Sequence, residues 1–177
     1  MTELFPYQKT GAAFLAERRR AMLLDEPGLG KTAQAIEACN LVDAGTVLVV
    51  CPASARAHWR SEFKRFGPKH DVTVESYEKV SADWRQFDGP WGALVVDEAH
   101  YLKSYSTKRS RAIYGTPNPA DWPGIARVSG HVFSLTGTPA PNHAGEMWMH
   151  MLALHPESLR VADRPDMLYG YDAFVWQ

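Results

Sequence analysis

Residues 25–32 read Asp-Glu-Pro-Gly-Leu-Gly-Lys-Thr, and this stretch is the clearest indication of the fold. Four apolar residues (21–24) precede it, and a run of helix-forming residues (33–38) comes after it. A strand, a tight glycine turn and the start of a helix form the context that a phosphate-binding loop requires. The strict pattern of such loops has a glycine where this chain has Asp25, so a glycine turn before a structural helix is the alternative.

The side chains of this loop have the types that a nucleotide site needs. Gly28 and Gly30 allow the backbone to approach phosphate groups, and the N-terminus of the next helix directs unpaired N–H groups at them. Lys31 is placed to reach the β- and γ-phosphates, and Thr32 is placed to bind Mg²⁺ through its hydroxyl. The loop therefore predicts a site for a nucleoside triphosphate with Mg²⁺.

Length and composition set broad limits on the protein. The chain has 177 residues, a size typical of one domain with a core of its own. Its formal charge of −1 gives no general attraction to nucleic acid, so such a contact must come from local residues. Cys39 and Cys51 lie in apolar stretches, which predicts buried free thiols in a reducing compartment.

The sequence shows neither an apolar leader nor a run long enough to span a membrane. We therefore expect a soluble intracellular protein with no membrane partner. Its expected location is the cytoplasm in a bacterial or phage-infected cell, and the nucleus in a eukaryote.

The order of apolar runs and helical patterns predicts the fold class. Strands that alternate with helices predict an α/β protein, with a parallel β-sheet flanked by helices, in a single domain over residues 1–177. The predicted strands are residues 21–24, 46–51, 72–75, 93–96 and 132–135. The predicted helices are residues 9–20, the segment from the glycine loop to about 43, residues 55–66 with Ser54 as N-cap, 108–114, and an amphipathic helix at 147–154.

Two further stretches carry structural predictions. Trp59, Phe63 and Phe66 share one face of a helix, which predicts a packing stripe in the core. Residues 115–130 are rich in proline and glycine, and they predict a surface excursion between two core elements.

Four candidate motifs come directly after predicted strands. They are residues 25–32, 52–54, 97–100 and 136–138. In parallel α/β sheets, ligands bind at the C-terminal ends of the strands. We therefore expect the four motifs to meet around one site.

Residues 97–100, Asp-Glu-Ala-His, have the types that nucleotide hydrolysis needs. Asp97 comes after four apolar residues, which would deliver its carboxylate to a Mg²⁺ ion beside the phosphates. Glu98 could orient and deprotonate the attacking water. His100 would couple the nucleotide state to Thr136 and Thr138 on the neighbouring strand end. The alternatives are an acidic pair that caps the next helix and a structural histidine.

Taken together, the motifs resemble a known family. In its order of motifs the chain resembles the first RecA-like lobe of a helicase superfamily-two ATPase, specifically of the Swi/Snf-type translocases, with a P-loop NTPase fold. The matching segments, which cover most of the chain, are Phe5–Gln8 (Q motif), Asp25–Thr32 (motif I), Val50–Ser54 (motif Ia), Asp97–His100 with Leu102 and Lys103 (motif II), and Leu135–Pro139 (motif III). The family's extension past motif III is matched at Asn142, Glu146, Trp148 and Pro156. The segments 102–103 and 107–109 further resemble the annealing-helicase branch and its phage and bacterial relatives.

The resemblance implies ATP and Mg²⁺ as cofactors, and it implies roles by position. Gln8 would contact the adenine edge, Lys31 the phosphates, and Asp97 with Thr32 the metal. The implied nucleotide-binding residues are Tyr7, Gln8, Glu26, Gly28, Leu29, Gly30, Lys31, Thr32 and Ala33. The implied catalytic residues are Lys31, Asp97, Glu98 and His100.

Double-stranded DNA is the partner that the resemblance implies. The implied contacts are Pro52, Ser54, Ser76, Tyr77 and Lys103. The first four would use hydroxyl and N–H groups along the DNA backbone instead of formal charge. Lys108, Arg109 and Arg111 could also touch DNA, although a solvated charged surface is the alternative for these residues and for Lys103. Trp148 would be a packing anchor.

Two departures from the family pattern affect the functional prediction. Pro27 stands where the family usually has methionine, which removes one N–H that could bind phosphate. The family's second lobe, with its arginine finger, is not in the sequence, and such a finger contributes about 10³–10⁵ to turnover in this reaction class. We therefore expect the ATP-binding lobe of a longer motor, with the second lobe as its partner and little hydrolysis by this lobe alone.

The predicted function is that of a lobe in a DNA-dependent ATPase that moves on or remodels double-stranded DNA. One alternative is the motor lobe of a strand-separating helicase or a restriction system. Another is a nucleotide-binding module without catalysis.

Overall fold

A computed structural model describes residues 3–67, 69–104, 106–118, 120–138, 142, 144–161 and 164–168. The helices are α1 (Pro6–Arg18), α2 (Lys31–Leu41), α3 (Arg56–Phe66), α4 (Tyr77–Ala82), α5 (Lys108–Tyr114), α6 (Ile125–Val128) and α7 (Trp148–Leu154). The strands are β1 (Arg20–Leu23), β2 (Thr46–Cys51), β3 (Asp71–Ser76), β4 (Trp91–Asp97), β5 (Ser129–Leu135), β6 (Arg160–Val161) and β7 (Arg164–Leu168). Short 3₁₀ helices cover Ala53–Ala55, Trp84–Phe87, Ala99–Leu102, Ala144–Met147 and Pro156–Leu159.

Strands β1 to β5 form one parallel sheet in the order β1-β5-β4-β2-β3, and β6 pairs with β7 as a separate antiparallel ribbon. The register brings the strand ends level, because Leu135 lies beside both Leu23 and Asp97, and Cys51 lies beside Ser76. The segments after these strands therefore leave the sheet on the same side. We call this the carboxyl side and the opposite one the amino side. The predicted parallel α/β sheet is confirmed.

Helices cover both faces of the sheet. Helices α1, α2 and α3 pack on one face, where Leu15, Ile36 and Trp59 are fully buried. Helices α4 to α7 pack on the other face. Alternate residues of the central strands serve the two cores, so that Val49 belongs to the first cluster and Val50 to the second. This explains why β2 is apolar without interruption, as expected for a parallel strand that is buried on both faces.

The first helix begins and ends earlier than predicted. Pro6 occupies its first turn, where the missing N–H costs no hydrogen bond. The Gln8 side chain accepts a hydrogen bond from the backbone N–H of Phe5 at 3.0 Å, which closes that turn. Arg19 adopts a φ of 61°, outside the helical region, and this ends the helix at Arg18. The predicted range of 9–20 is therefore wrong at both ends.

Ser54 is not the N-cap of the third helix. It lies inside the 3₁₀ turn Ala53–Ala55, and Ala55 occupies the N-cap position without a side-chain hydrogen bond. The packing stripe on this helix is confirmed, since Trp59 and Phe63 are buried and Phe66 packs against the same cluster.

Two predictions for the second half of the chain are wrong in part. Residues 115–130 are not wholly a surface excursion, because Ile125 and Ala126 are fully buried in α6 and β5 already begins at Ser129. Helix α7 is not amphipathic, since six of its seven residues are buried. It packs against both β1 and α5, and so it has little face left for solvent.

Both cysteines are buried free thiols, as predicted. Burial raises the pKa of each thiol, Cys39 and Cys51, to about 12. Among the described residues, no helix is long and apolar enough to cross a membrane.

Candidate active site

The glycine loop between β1 and α2 has the backbone that only glycine adopts readily. Gly28 has a φ of 88° and Gly30 a φ of 72°, both in the left-handed region. A Cβ atom on Gly30 would lie 2.3 Å from the side-chain nitrogen of Gln8. Helix α2 starts at Lys31, directly after the second glycine. The loop thus joins a strand end to the N-terminus of an eleven-residue helix, the geometry that suits an anion.

The Lys31 side chain folds over its own loop. Its Nζ donates hydrogen bonds to the backbone carbonyls of Asp25 at 2.7 Å and Glu26 at 3.1 Å. The Asp25 carboxylate in turn accepts a hydrogen bond from Gln34 at 2.8 Å. Asp25, at the position where the strict pattern has glycine, therefore stabilises the loop through both its backbone and its side chain.

Gln34 is a residue that the sequence reasoning missed. Its side chain is fully buried, and besides Asp25 its amide nitrogen also contacts the carbonyl of Leu29 at 3.3 Å. The Gln8 amide donates to the same carbonyl at 3.3 Å. The two glutamines therefore hold the loop from two helices, and a polar residue on the buried face of α2 was the available signal.

The Gln8 side chain, expected to contact the adenine edge, is engaged within the protein instead. Its amide oxygen accepts from Phe5 and its amide nitrogen donates to Leu29, so both ends are used within the protein. An adenine contact would have to replace one of these bonds. Tyr7, by contrast, is exposed and borders a cleft of about 520 Å³, which Phe14 and Leu29 also line.

The other loop residues predicted to bind nucleotide also lie around the start of α2. Glu26 and Gly28 are exposed, Thr32 is partly exposed in the first helical turn, and Ala33 is buried behind it. Pro27 packs towards motif III, since a Cβ on Gly137 would lie 3.0 Å from Pro27 Cδ.

Asp97 ends β4 on the carboxyl side, and both of its carboxylate oxygens have donors. The indole N–H of Trp59 donates to Oδ2 at 2.8 Å, and the backbone N–H of Glu98 donates to Oδ1 at 3.0 Å. The Tyr77 hydroxyl donates to the Asp97 carbonyl. Burial raises the pKa of Asp97, and the Trp59 hydrogen bond opposes that shift.

Glu98 has an unusual backbone and a partly exposed side chain. Its φ of 51° and ψ of 51° place a non-glycine residue in the left-handed region, a form of strain that clusters at functional sites. Its side chain is 44% exposed and makes no capping hydrogen bond to the 3₁₀ helix after it. The alternative that the acidic pair only caps a helix is thus unsupported for Glu98.

His100 lies between motif II and motif III. Its Nδ1 is 3.2 Å from Oε2 of Glu98 and 3.2 Å from the hydroxyl of Thr136. The Thr136 hydroxyl also accepts a hydrogen bond from the backbone N–H of Thr138 at 3.1 Å. A continuous polar chain therefore connects the end of β4 to the end of β5. Pro139, the last residue of motif III, lies outside the described residues.

The donors on the carboxyl side fit Mg²⁺. Thr32 offers a hydroxyl and Asp97 a carboxylate, both oxygen ligands that a hard cation prefers. Within the described part of the chain, no group of three or more His, Cys, Asp or Glu side chains could hold a metal. A magnesium ion with few protein ligands, completed by water and phosphate oxygens, matches this arrangement.

The residues expected along DNA divide into two sets. Pro52 is partly exposed and Ser54 is exposed, in the segment after β2. Ser76 and Tyr77 are 6% and 2% exposed, and their hydroxyls cap α4 and bind the backbone of motif II. Both hydroxyls are therefore engaged inside the lobe, and the DNA contacts expected of Ser76 and Tyr77 stay a prediction.

Lys103 is also engaged within the protein. Its Nζ lies 2.7 Å from the carboxylate of Glu146, which is buried and also accepts two hydrogen bonds from Asn142. Burial alone would raise the pKa of Glu146, but the Lys103 and Asn142 hydrogen bonds outweigh it and lower the pKa to about 2. Trp148, in the same segment, is 1% exposed and packs in the core, as expected of an anchor.

Arginines line a separate cleft of about 850 Å³ on the amino side. Arg20 donates to the carbonyls of Ala153 and Ser129, and Arg127 donates to the carbonyl of Thr116. The Arg20 bonds join β1 to β5 and α7, and the Arg127 bond joins α6 to the segment after α5, so the two guanidinium groups act as links within the fold.

Comparison with known proteins gives consistent relatives. A family model described as "SNF2-related domain" matches residues 7–83. The chain is 31% identical to the SWI/SNF-related matrix-associated actin-dependent regulator of chromatin subfamily A-like protein 1 of Bos taurus, over 88% of this chain and 18% of that protein. It is 30% identical to the human DNA annealing helicase and endonuclease ZRANB3, over 88% of this chain and 16% of that protein. The chain thus spans a fifth or less of the length of these relatives.

A solved structure has the same fold. The Sulfolobus solfataricus SWI2/SNF2 ATPase core in complex with dsDNA matches with a TM-score of 0.79 and 25% identity. The match covers 98% of this chain and 38% of that one. The five-stranded sheet with helices on both faces therefore corresponds to one RecA-like lobe.

Proposed function

This chain is a relative of the SNF2-type ATPases with the fold of their first RecA-like lobe, and on this basis we propose that it is the ATP-binding lobe of a DNA-dependent ATPase. The parent protein would use ATP and Mg²⁺ to move on or remodel double-stranded DNA. The observation that carries the proposal is the meeting of three groups on the carboxyl side. Lys31 and the left-handed glycine loop come after β1, Asp97 ends β4 with Glu98 directly after it, and Thr136 comes after β5.

The loop and Lys31 would bind the phosphates of ATP. The backbone N–H groups at the start of α2 point out of the helix N-terminus and suit an anion. Lys31 Nζ now donates to two carbonyls of the loop, and phosphate oxygens would replace these as stronger, charged acceptors. Tyr7 and the apolar cleft beside it would receive the base, while Gln8 would act mainly by holding the loop.

Thr32 and Asp97 would hold Mg²⁺ beside the phosphates. When bound, this ion neutralises developing charge on the transferred phosphoryl group. Asp97 would keep its carboxylate oriented through the donors that it already has in the protein. Glu98, partly exposed at the same strand end, would accept a proton from the attacking water.

His100 would couple the presence of nucleotide in the site to the position of motif III. It contacts the Glu98 carboxylate and the Thr136 hydroxyl through one ring nitrogen, so a movement of Glu98 changes which partner that nitrogen serves. Motif III also touches the glycine loop through Gly137 and Pro27. Through both contacts, the end of β5 would respond to the presence of nucleotide.

DNA would run along the surface segment after β2, where Pro52 and Ser54 lie. The described surface there offers hydroxyl and N–H groups, and these position a protein on the phosphate backbone without reading sequence. Ser76, Tyr77 and Lys103 would act behind that surface, since their polar groups are engaged inside the lobe.

A second lobe of the parent protein would complete the catalytic cleft. ATP hydrolysis by this chain tests that proposal, with and without double-stranded DNA, beside the matched variant Glu98→Gln. We expect ATP to bind to both proteins and turnover to stay slow in both. DNA-stimulated turnover at the rate of a complete motor, lost in Glu98→Gln, would contradict the need for a second lobe. A strand-displacement assay on the parent protein distinguishes a translocase from a strand-separating helicase.

A further inference from the structure

Trp59 makes a polar contact inside the core, where a buried donor needs an acceptor. The residue lies on α3, three residues after the helix begins, and its side chain is 0% exposed. Its indole N–H is the side chain's only hydrogen-bond donor, and it points at Oδ2 of Asp97 at 2.8 Å. A phenylalanine would bury a similar ring at this position. Tryptophan differs from phenylalanine here in having this donor. The hydrogen bond therefore gives Trp59 a role beyond packing.

The Asp97 carboxylate is held at two points. Trp59 donates to Oδ2 and the backbone N–H of Glu98 donates to Oδ1, so rotation of the carboxylate would break one bond or both. The Tyr77 hydroxyl fixes the backbone carbonyl of Asp97 in addition. Of these donors, only Trp59 reaches the carboxylate from another part of the chain. The indole thus sets the direction in which the remaining lone pairs of the carboxylate point.

We propose that Trp59 is a positioning residue that holds the Asp97 carboxylate in the orientation that binds Mg²⁺. This inference rests on the proposed function, because it assumes that Asp97 is a ligand in the magnesium site. Partners that orient a metal ligand typically change metal affinity about 10–100-fold when they are lost. Trp59 itself is fully buried, so it would act through Asp97 and not by touching ATP or the metal.

The variant Trp59→Phe removes the donor and keeps an aromatic ring. Trp91→Phe is a matched control, because the Trp91 indole also donates one hydrogen bond, to the Phe87 carbonyl at 2.8 Å, at the opposite end of the same strand. The measurement is equilibrium binding of a fluorescent ATP analogue to the 177-residue chain across a range of Mg²⁺ concentrations. Thermal unfolding of each variant verifies that it is folded.

We expect Trp59→Phe to raise the half-saturating Mg²⁺ concentration about 10-fold or more, with Trp91→Phe like the wild type. Binding of the analogue without Mg²⁺ should be the same in all three proteins. An unchanged Mg²⁺ dependence in a folded Trp59→Phe variant would overturn the inference and leave the proposed function intact. A wild-type chain that binds no analogue at any Mg²⁺ concentration would overturn both.

A second measurement keeps the native indole. The chain has six tryptophans, and their indole N–H signals can be assigned in a ¹H–¹⁵N spectrum. The inference predicts that Asp97→Asn shifts the Trp59 indole signal strongly and leaves the Trp91 signal in place. It also predicts that the analogue with Mg²⁺ shifts the Trp59 signal more than the analogue alone. If neither Asp97→Asn nor the addition of Mg²⁺ to the analogue shifts the Trp59 signal, the inference is overturned. This test holds even if Trp59→Phe fails to fold.

Discussion

The two ends of the same parallel sheet both carry charged side chains, but they use them differently. On the carboxyl side, Glu98 stays partly exposed beside His100, and Lys31 donates to two carbonyls of its own loop. On the amino side, Arg20 and Arg127 donate to backbone carbonyls of neighbouring elements.

The difference shows that charge density alone does not identify a site. The amino-side cleft, of about 850 Å³ against about 520 Å³ for the cleft beside Tyr7, is lined by five arginines, yet the described hydrogen bonds of Arg20 and Arg127 stabilise the fold. The carboxyl side combines strained backbone at Glu98 and a buried carboxylate at Asp97, both of which cost stability, with a glycine loop shaped for an anion. A candidate site is better identified by polar groups that remain available to a ligand than by its charge.

The largest expected contrast between the two sides comes from removing a cation on each. Lys31→Ala removes the charged donor of the glycine loop, and we expect ATP affinity to fall about 100-fold because a charged hydrogen bond to phosphate is lost. Arg20→Ala, the matched change on the amino side, should leave ATP affinity of the folded protein unchanged. Isothermal titration calorimetry measures both. Equal losses of affinity in the two variants would show that the two sides do not differ in this way.

The same pair should give the reverse result for stability. Arg20→Ala removes donors to the carbonyls of Ala153 and Ser129, and we expect it to lower the free energy of unfolding by about 2 kcal/mol. Lys31→Ala should have a much smaller effect, since its donors bind carbonyls of a surface loop. Urea unfolding followed by circular dichroism measures this. A stable Arg20→Ala variant would show that the amino-side links are not structural.

The buried residue His150 makes the stability of the fold depend on pH. Burial, with His100 nearby, lowers the pKa of His150 to about 4, while Glu146 acts in the opposite direction and the Tyr114 hydroxyl lies 3.3 Å from its Nδ1. Between pH 6.5 and 4 the unfolded chain takes up a proton that the folded chain does not. Stability therefore falls as pH falls, by about 2 kcal/mol between about pH 7.5 and pH 5.

The variant His150→Gln isolates this contribution, because it removes the titrating group and keeps a polar side chain. Urea unfolding at both pH values should show a smaller loss of stability in the variant than in the wild type. An identical loss in the two proteins would assign the pH dependence to other groups.

Lys103 combines features of the two sides. It lies after β4 on the carboxyl side, but its ammonium group is paired within the protein, with Glu146. Lys103→Met leaves the buried Glu146 carboxylate without its cation, so we expect the melting temperature to fall by several degrees. Lys108→Met, at an exposed lysine on α5, is the control and should leave it unchanged. A stable Lys103→Met variant of the parent protein with weakened DNA binding would instead support the DNA contact.

Local sequence signals were sufficient to predict the five strands of the parallel sheet and the glycine loop, but not the short strands β6 and β7. The uninterrupted apolar residues of β2 and β4 reflect burial on both faces of a parallel sheet, and the helix Lys108–Tyr114 was predicted to the residue. Gly28 and Gly30 are needed for their backbone angles, which is a property of the residue type. The carboxyl ends of parallel strands lie on the same side of the sheet. The motifs that come after these strands are therefore close together.

Contacts across elements could not be predicted in this way. The bond between Trp59 and Asp97 joins residues 38 positions apart, and the apolar stripe that contains Trp59 indicated only packing. Tyr77 comes after a strand end, as a surface residue would, but the packing of α4 turns its hydroxyl inward to motif II. Helix α7 was predicted to be amphipathic, yet tertiary packing buries nearly all of it, including its polar residue His150.

The most direct test of the proposed site is a map of where ATP with Mg²⁺ binds, obtained from chemical-shift changes in a ¹H–¹⁵N spectrum of the chain. We predict the largest changes at Gly28, Gly30, Lys31 and Glu98, on the carboxyl side of the sheet. Changes concentrated at Arg20 and Arg127, with the glycine loop unaffected, would contradict the proposal, because phosphate would then bind to charge and not to the built loop.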